Sequence, residues 1–417
     1  MFNYKSFFRI SCIAFCLILI PYIINAQTEI KSLRVYSYEN QTSMPIIYGD
    51  LGSLTIEFDV KCNYEPMFNI IFKFCDRNWN PYDNIFLTNS GYNTVYQNQL
   101  FFESMPPQVK EADFHLKESF PNDRCSIDFP FSGKWKFYIT ESNDTSKVYA
   151  EGKFIVIKNT FDIYPKIIDE TLEKIVFPTD LNKIFKITLD FDLPDDYIPD
   201  YVNGVEIIEN HKIDYPYFVD RKHNNDYHAF YWDGDKNFSF MTREIKPGNS
   251  YRETDLRNTT IDMAKNVNAQ FTGIDDSRFY DEPREDLKGG SIVPKFSDEF
   301  ATYLNVKFWL RVPSEVNVSN IFVVGAFNNW DVLPEDEMEY QNGYYVKTIQ
   351  IKRGIYDYQY AMADVNQGKI SNIDWLVLEG NTWEVKKNYY IFLWYSDPSN
   401  GGYDRIIANK QITSNEE

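Results

Sequence analysis

A period of two runs through nearly every apolar stretch of this chain and leaves little choice of fold. Leu54, Ile56, Phe58, Val60 and Cys62 alternate with Thr55, Glu57, Asp59 and Lys61. The same rhythm returns in Phe68, Ile70, Phe72 and Phe74, in Trp135, Phe137 and Ile139 opposite Lys134, Lys136 and Tyr138, and in Phe185, Ile187, Leu189 and Phe191. Its cleanest case sets Leu304, Val306, Phe308, Leu310 and Val312 against Tyr303, Asn305, Lys307, Trp309 and Arg311. Only a strand puts every second residue on one face. No segment sustains a helical period, and Gly, Asn, Asp and Pro clusters punctuate the runs. The expected fold is all-β, built from tandem immunoglobulin-like β-sandwich domains.

The 417 residues suggest two or three domains at roughly 150 residues each. Residues 1–26 read as an export signal: Lys5 and Arg9 give the positive start, Ile13 to Ile20 the apolar stretch, and Ala26 a small residue at the cleavage point. Cys12 and Cys16 lie in that leader and have no lipidation context. A first sandwich is expected over 27–158, a second over 159–294 ending in a charged linker, and a third over 295–417. The linker is the tract IDDSRFYDEPREDLKGG, whose acidic pair Asp275-Asp276 reads as solvated charge. The formal charge of −19 repels nucleic acid and anionic lipid head groups and argues against either partner. Of the three cysteines beyond the leader, Cys62 and Cys125 keep core phase and Cys75 does not, so the options are a Cys62–Cys125 bridge or none.

The strand through Phe74 breaks into a long aromatic loop, FKFCDRNWNPYDNIFLTNSGYNT over 72–94. Trp79, Pro81, Tyr82, Phe86 and Tyr92 are too many large groups to leave in water, while Asp76, Arg77, Asn78, Asn80 and Asp83 can hydrogen-bond an irregular backbone into one shape. Two readings stay open: a self-packed loop closing the end of a sandwich, or a presented recognition surface.

Catalytic patterns are missing. The sequence contains no P-loop, HExxH, CxxC, GxSxG or dinucleotide-binding glycine pattern. His223 and His228 flank Asp226 with a spacing that fits no common zinc set, and Asp233, Asp235 and Asn237 begin a calcium-like loop that lacks its glycine and closing Glu. No cofactor or metal is expected. GAFNNWD over 325–331, followed by GIYDYQYAMAD over 354–364, resembles the early-set immunoglobulin-like and glycogen-binding modules. That resemblance implies sugar stacking on Trp330, with Trp375 or Trp383 as a second plane, and offers glycan binding as an alternative function.

Taken together, the loop FCDRNWNPYDN, the strand GKWKFYI, SYRETDLRN over 250–258, LEGNTWEVKKNYYIFLWY and GGYDRIIANKQI resemble the plug protein family of the Bacteroidetes type IX secretion system. The resemblance implies a non-enzymatic periplasmic protein that occludes the periplasmic mouth of the large outer-membrane β-barrel translocon when it is idle. It also marks Asp76, Trp79, Asn80, Pro81 and Tyr92 as the candidate interaction or signature loop.

Overall fold

The computed structural model describes residues 28–416 apart from 84–95, 98, 123–126, 173–178, 223–224, 226, 261–265, 279–281, 295–300, 315 and 317. The leader, Phe86, Tyr92, Cys125 and His223 therefore lie outside the described residues. Those described form strands and five single-turn 3-10 helices. None of their helices is long and apolar enough to cross a membrane.

Six sheets carry the fold. Sheet I joins Glu29–Ser37, Leu54–Lys61, Phe114–Phe120 and Glu103–Ser104, and sheet II joins Ile46–Tyr48, Asp144–Ile157, Gly133–Glu141, Phe68–Cys75 and Tyr96–Gln97. Their facing apolar sides make one core, in which Trp135 is fully buried against Phe154 and donates its indole N–H to the Phe131 carbonyl. Sheet III orders Tyr217–Asp220, Val202–Glu209, Asn388–Ser396 and Asp404–Thr413, and sheet IV orders Lys166–Thr171, Lys183–Asp192, Asn237–Ile245 and His228–Trp232. A second core lies between them. Sheets II and III then stack on each other through Ile155, Ile157, Ile208, Tyr390, Phe392 and Trp394. Four sheets are thus layered in the order I, II, III, IV.

The third sandwich is made by sheet V, with Arg252–Asp255, Ile355–Asn366, Ser291–Ile292, Asn320–Gly325 and Lys369–Asp374, and sheet VI, with Asn266–Asn268, Tyr303–Arg311, Tyr344–Lys352, Glu339–Gln341 and Asp275–Asp276. Strand pairing redraws two of the expected limits. Asn388–Ser396 and Asp404–Thr413 return from the chain's end into sheet III, beside Val202–Glu209. In exchange, Arg252–Asp255 and the short strands at 266–268, 275–276 and 291–292 leave the second unit for the third. The supposed linker is therefore woven into a sandwich. The physical reason for the first exchange is visible in NYYIFLWYS: Tyr389, Ile391, Leu393 and Tyr395 fill one core while Tyr390, Phe392 and Trp394 fill the next. A strand apolar on both faces is stable only between two layers.

Candidate interaction site at the joints between the units

The aromatic loop is built around one carboxylate. Asp76 accepts the backbone N–H groups of Asn78 and Asn80, both at 2.8 Å, and the Asn80 side-chain amide at 3.0 Å. The backbone closes the same ring, with Asp76 N–H donating to the Asn80 carbonyl and Trp79 N–H to that of Asp76. Pro81 then bridges back to Cys75, and Tyr82 stacks on Phe74. This tight turn holds Trp79 in the left-handed region, φ 66°, and aims its indole inward, where it is 8% exposed. Asp76→Ala is expected to cost about 1–2 kcal/mol by releasing three hydrogen bonds of the turn, read as a lowered urea midpoint. Asn78 and Asn80 remain on the surface.

The indole of Trp79 covers a buried ion pair that joins the first two units. Lys134 Nζ lies 2.6 Å from Glu206 Oε1, with side-chain exposures of 1% and 2%. It also donates to the Arg77 carbonyl at 2.8 Å, and the Trp394 indole donates to the other oxygen of Glu206 at 2.9 Å. The ammonium sits 4.7 Å from the Trp79 ring and 5.6 Å from that of Trp394. Alternation places Lys134 opposite the core, a position that would normally face water, but sheet III covers that face. The same cover explains Cys75, which is out of core phase and still fully buried; Cys62 and Cys75 are both free thiols.

The terminal motif GGYDRIIA completes the joint. Asp404 accepts the Arg77 N–H at 3.1 Å, and its own N–H donates to the Tyr82 hydroxyl at 2.8 Å. Tyr403 packs edge-on against Phe74 and Phe131. The Arg77 guanidinium lies 3.6 Å from the Phe218 ring centroid. Two motifs more than 320 residues apart in the chain are thus two halves of one clasp.

A second pair of motifs meets in the third unit. Arg252 of SYRETDLRN donates to both carboxylate oxygens of Glu379 in LEGNTWE, at 3.0 and 3.1 Å, and to Asp275 at 2.9 Å. Arg278 takes Glu379 from the other side at 3.0 Å, and the hydroxyls of Tyr358 and Tyr360 both donate to Asp275. Asp275 is 7% exposed, which corrects its reading as solvated charge. Sheets I and VI are joined by Asp59, which takes His115 at 2.7 Å, Lys352 at 2.6 Å and the Tyr303 hydroxyl at 2.7 Å. Burial pushes that carboxyl up, but the hydrogen bond from His115 and the charge of Lys352 outweigh it and hold Asp59 below its ordinary value.

Trp330 is not presented to solvent. It is 2% exposed, its indole N–H donates to the Gly289 carbonyl at 2.7 Å, and its ring lies 4.5 Å from that of Tyr251. Stacking on a sugar needs an open ring face, so the expectation drawn from GAFNNWD is corrected for this residue. Trp375 is half-buried and edge-on to Tyr215 at 5.1 Å. Among the described residues, no group of three or more His, Cys, Asp or Glu could hold a metal ion. Asp233 instead caps a plain turn, accepting the Asp235 N–H at 2.8 Å, and His228 pairs with Glu244.

One carboxylate in the same region is under strain. Asp357 accepts the Gly289 N–H through one oxygen, while the other is buried with no partner. Burial, reinforced by the nearby Asp286, holds its carboxyl up at about 8 against an ordinary 3.8. The folded chain keeps a proton that the unfolded chain releases, so stability present at low pH is lost as pH rises toward about 8. Asp331, held at about 6 by burial and Asp214, adds to the loss at the acid end of that window. Asp357→Asn is expected to flatten this slope in urea midpoints measured from pH 4 to pH 8, and an unchanged slope would refute the assignment.

Lys134, Glu206, Arg77 and Asp404 were not singled out as site residues by sequence reasoning. The signal they offered is that Lys134, Arg77 and Asp404 lie inside the motifs GKWKFYI, FCDRNWNPYDN and GGYDRIIANKQI, whereas Glu206 lies in none.

Residues 30–158 match the family model described as "Type 9 secretion system plug protein 1st domain". Among solved structures, a hypothetical protein from Parabacteroides merdae ATCC 43184 is similar over 94% of this chain and 100% of that one, with a TM-score of 0.73 at 17% identity, a likeness that shows the fold alone. A structure from work on host-cell surface retention of a 1.5-MDa bacterial ice-binding adhesin covers 93% of this chain and 96% of its own at 8% identity, and its TM-score of 0.13 carries no argument. No curated protein matches.

Proposed function

We propose that this chain, whose residues 30–158 belong to the type IX secretion system plug family as its first domain, is a non-enzymatic stopper at the periplasmic mouth of the outer-membrane β-barrel translocon. Its role is secretion-related and its place is the cell envelope. The carrying observation is the family match over 30–158.

The joints support the reading. Domains of one chain move relative to one another by default unless their interface is large and apolar. Here sheets II and III share a buried apolar cluster, and ion pairs with both members buried lock the first unit to the second and the first to the third. A body braced in this way can stop a wide opening by shape, with no chemistry required. The strongly acidic composition and the exposed Tyr64, Phe271 and Tyr340 leave a polar surface with isolated aromatic anchors, suited to reversible contact. Export in this reading uses the leader of residues 1–26, so the mature chain begins at Gln27.

The test is capture of tagged full-length protein from crosslinked envelopes of its native cell. The translocon barrel is expected in the captured fraction, more of it when secretion is idle. A tagged chain that is folded and exported yet never brings the barrel down would overturn the proposal.

A further inference from the structure

Between the second and third units lies a cavity of about 270 Å³ that none of the joints described above fills. Its walls are partly aromatic, with Tyr215, Tyr217, Tyr251 and Trp375, and several of its lining residues, Trp375 among them, are half-buried. The rest of the lining is mostly polar or charged, so electrostatics and hydrogen bonds rather than apolar burial would hold a ligand there.

The polar groups do not cancel. Three carboxylates line the cavity, and each is already engaged. Glu209 accepts the Tyr251 hydroxyl at 3.0 Å and Lys212 at 3.3 Å, Glu379 is held by Arg252 and Arg278, and Asp374 accepts the N–H groups of Leu376 and Val377. Lys387 remains. Its side chain is 1% exposed, and the carboxylate oxygen paired with its ammonium lies 3.7 Å away on Glu209, beyond hydrogen-bond reach. The Tyr251 ring centroid is 3.5 Å from the ammonium. Burial pulls the group down to about 8, with Glu209 opposing, so it keeps its charge at neutral pH. A second orphan lines the same cavity: the Asn249 side-chain oxygen is buried and has no donor. An ammonium brings three N–H donors, which either water in the cavity or a ligand must meet.

We propose that this cavity is a binding site for a small carboxylate that also carries a hydrogen-bond donor, its carboxylate paired with Lys387, its donor turned to Asn249 and its body against Trp375. Four cations against three carboxylates in the lining select a small anion, and the unmet Asn249 oxygen selects a ligand with an N–H or O–H. A free hydroxy acid and the C-terminal residue of a peptide share this chemistry. The site stands apart from the plug reading, since neither needs the other.

The experiment is calorimetry and thermal unfolding of the full chain with lactate as the free acid and N-acetylalanine as the stand-in for a peptide end, beside lactamide and N-acetylalaninamide as uncharged counterparts. The acids are expected to bind and to raise Tm by a few degrees, and the amides to do neither. Preference for lactate would name a free acid as the source, and preference for N-acetylalanine a peptide end. Trp375→Phe is expected to keep the fold and weaken binding several-fold, and Lys387→Met to abolish it. No binding of either acid at about 10 mM, or equal shifts from acids and amides, would overturn the proposal and leave a cavity filled by water. The acid–amide comparison is made in the unaltered chain, so it decides the matter whether or not Lys387→Met folds.

Discussion

Lys134→Met is expected to destabilise the chain by about 3–5 kcal/mol, because it strips the cation from a carboxylate that has no route to water. Glu206 would keep the Trp394 indole as a donor and lose the ammonium 2.6 Å away. The Arg77 carbonyl would lose its donor in the same step, which loosens the turn that carries Trp79. Adding Glu206→Gln to Lys134→Met should recover much of the loss, since a buried ion pair adds little over a neutral pair of similar volume while a half-removed one is expensive. Urea unfolding followed by tryptophan fluorescence measures both variants. A single variant within about 1 kcal/mol of the unaltered chain would mean that the joint admits water and that the pair behaves as an exposed one. Limited proteolysis gives the structural readout: the single variant should be cut sooner near residues 158–163, where the chain passes from sheet II to sheet IV.

Trp330→Ala should cost a similar amount, about 3–5 kcal/mol, through the lost burial of a large aromatic and the cavity it leaves. The indole is pinned at both ends, by the Gly289 carbonyl and by the Tyr251 ring. Gly289, with φ 85°, comes so close that a Cβ there would stand 3.3 Å from the indole. The expected pattern is therefore a large drop in Tm with no change in retention on glycan surfaces. An exposed stacking residue would give the reverse, little loss of stability and complete loss of sugar binding, and that result would restore the reading taken from the motif GAFNNWD.

These two residues mark how far the sequence could be read. Trp330 and Lys134 each lie in a stretch whose local pattern was plain. The alternation in GKWKFYI assigned Trp135 to the core, where it is fully buried. It assigned Lys134 to the opposite face, and there the pattern ended, because nothing local says whether that face meets water or another sheet. Leu54–Lys61 shows the same limit: Thr55, Glu57 and Asp59 alternate as a solvent face would, yet all three are buried, Thr55 against Tyr38 and Ser119, Glu57 against Tyr36 and Arg34, and Asp59 under Tyr303 and Lys352 of the third unit. Asp275 looked solvated for the same reason in reverse, since its partners Arg252, Tyr358 and Tyr360 are 23, 83 and 85 residues away. The motifs FCDRNWNPY and GGYDRIIA could be seen as signatures, but not as two sides of one contact.

The sequence by itself determined the strands, their core faces and the match of residues 30–158 to the plug-protein first-domain model. Those follow from side-chain period and turn chemistry, which act over a few residues. Only the tertiary structure decided which sheet each strand joins and which polar faces are covered. It carried Asn388–Ser396 past its sequence neighbours to pair with Val202–Glu209, and it closed Trp79, Lys134 and Trp330 into joints. Strand pairing and sheet stacking are contacts between distant segments, and their free energy depends on surfaces that no local window contains.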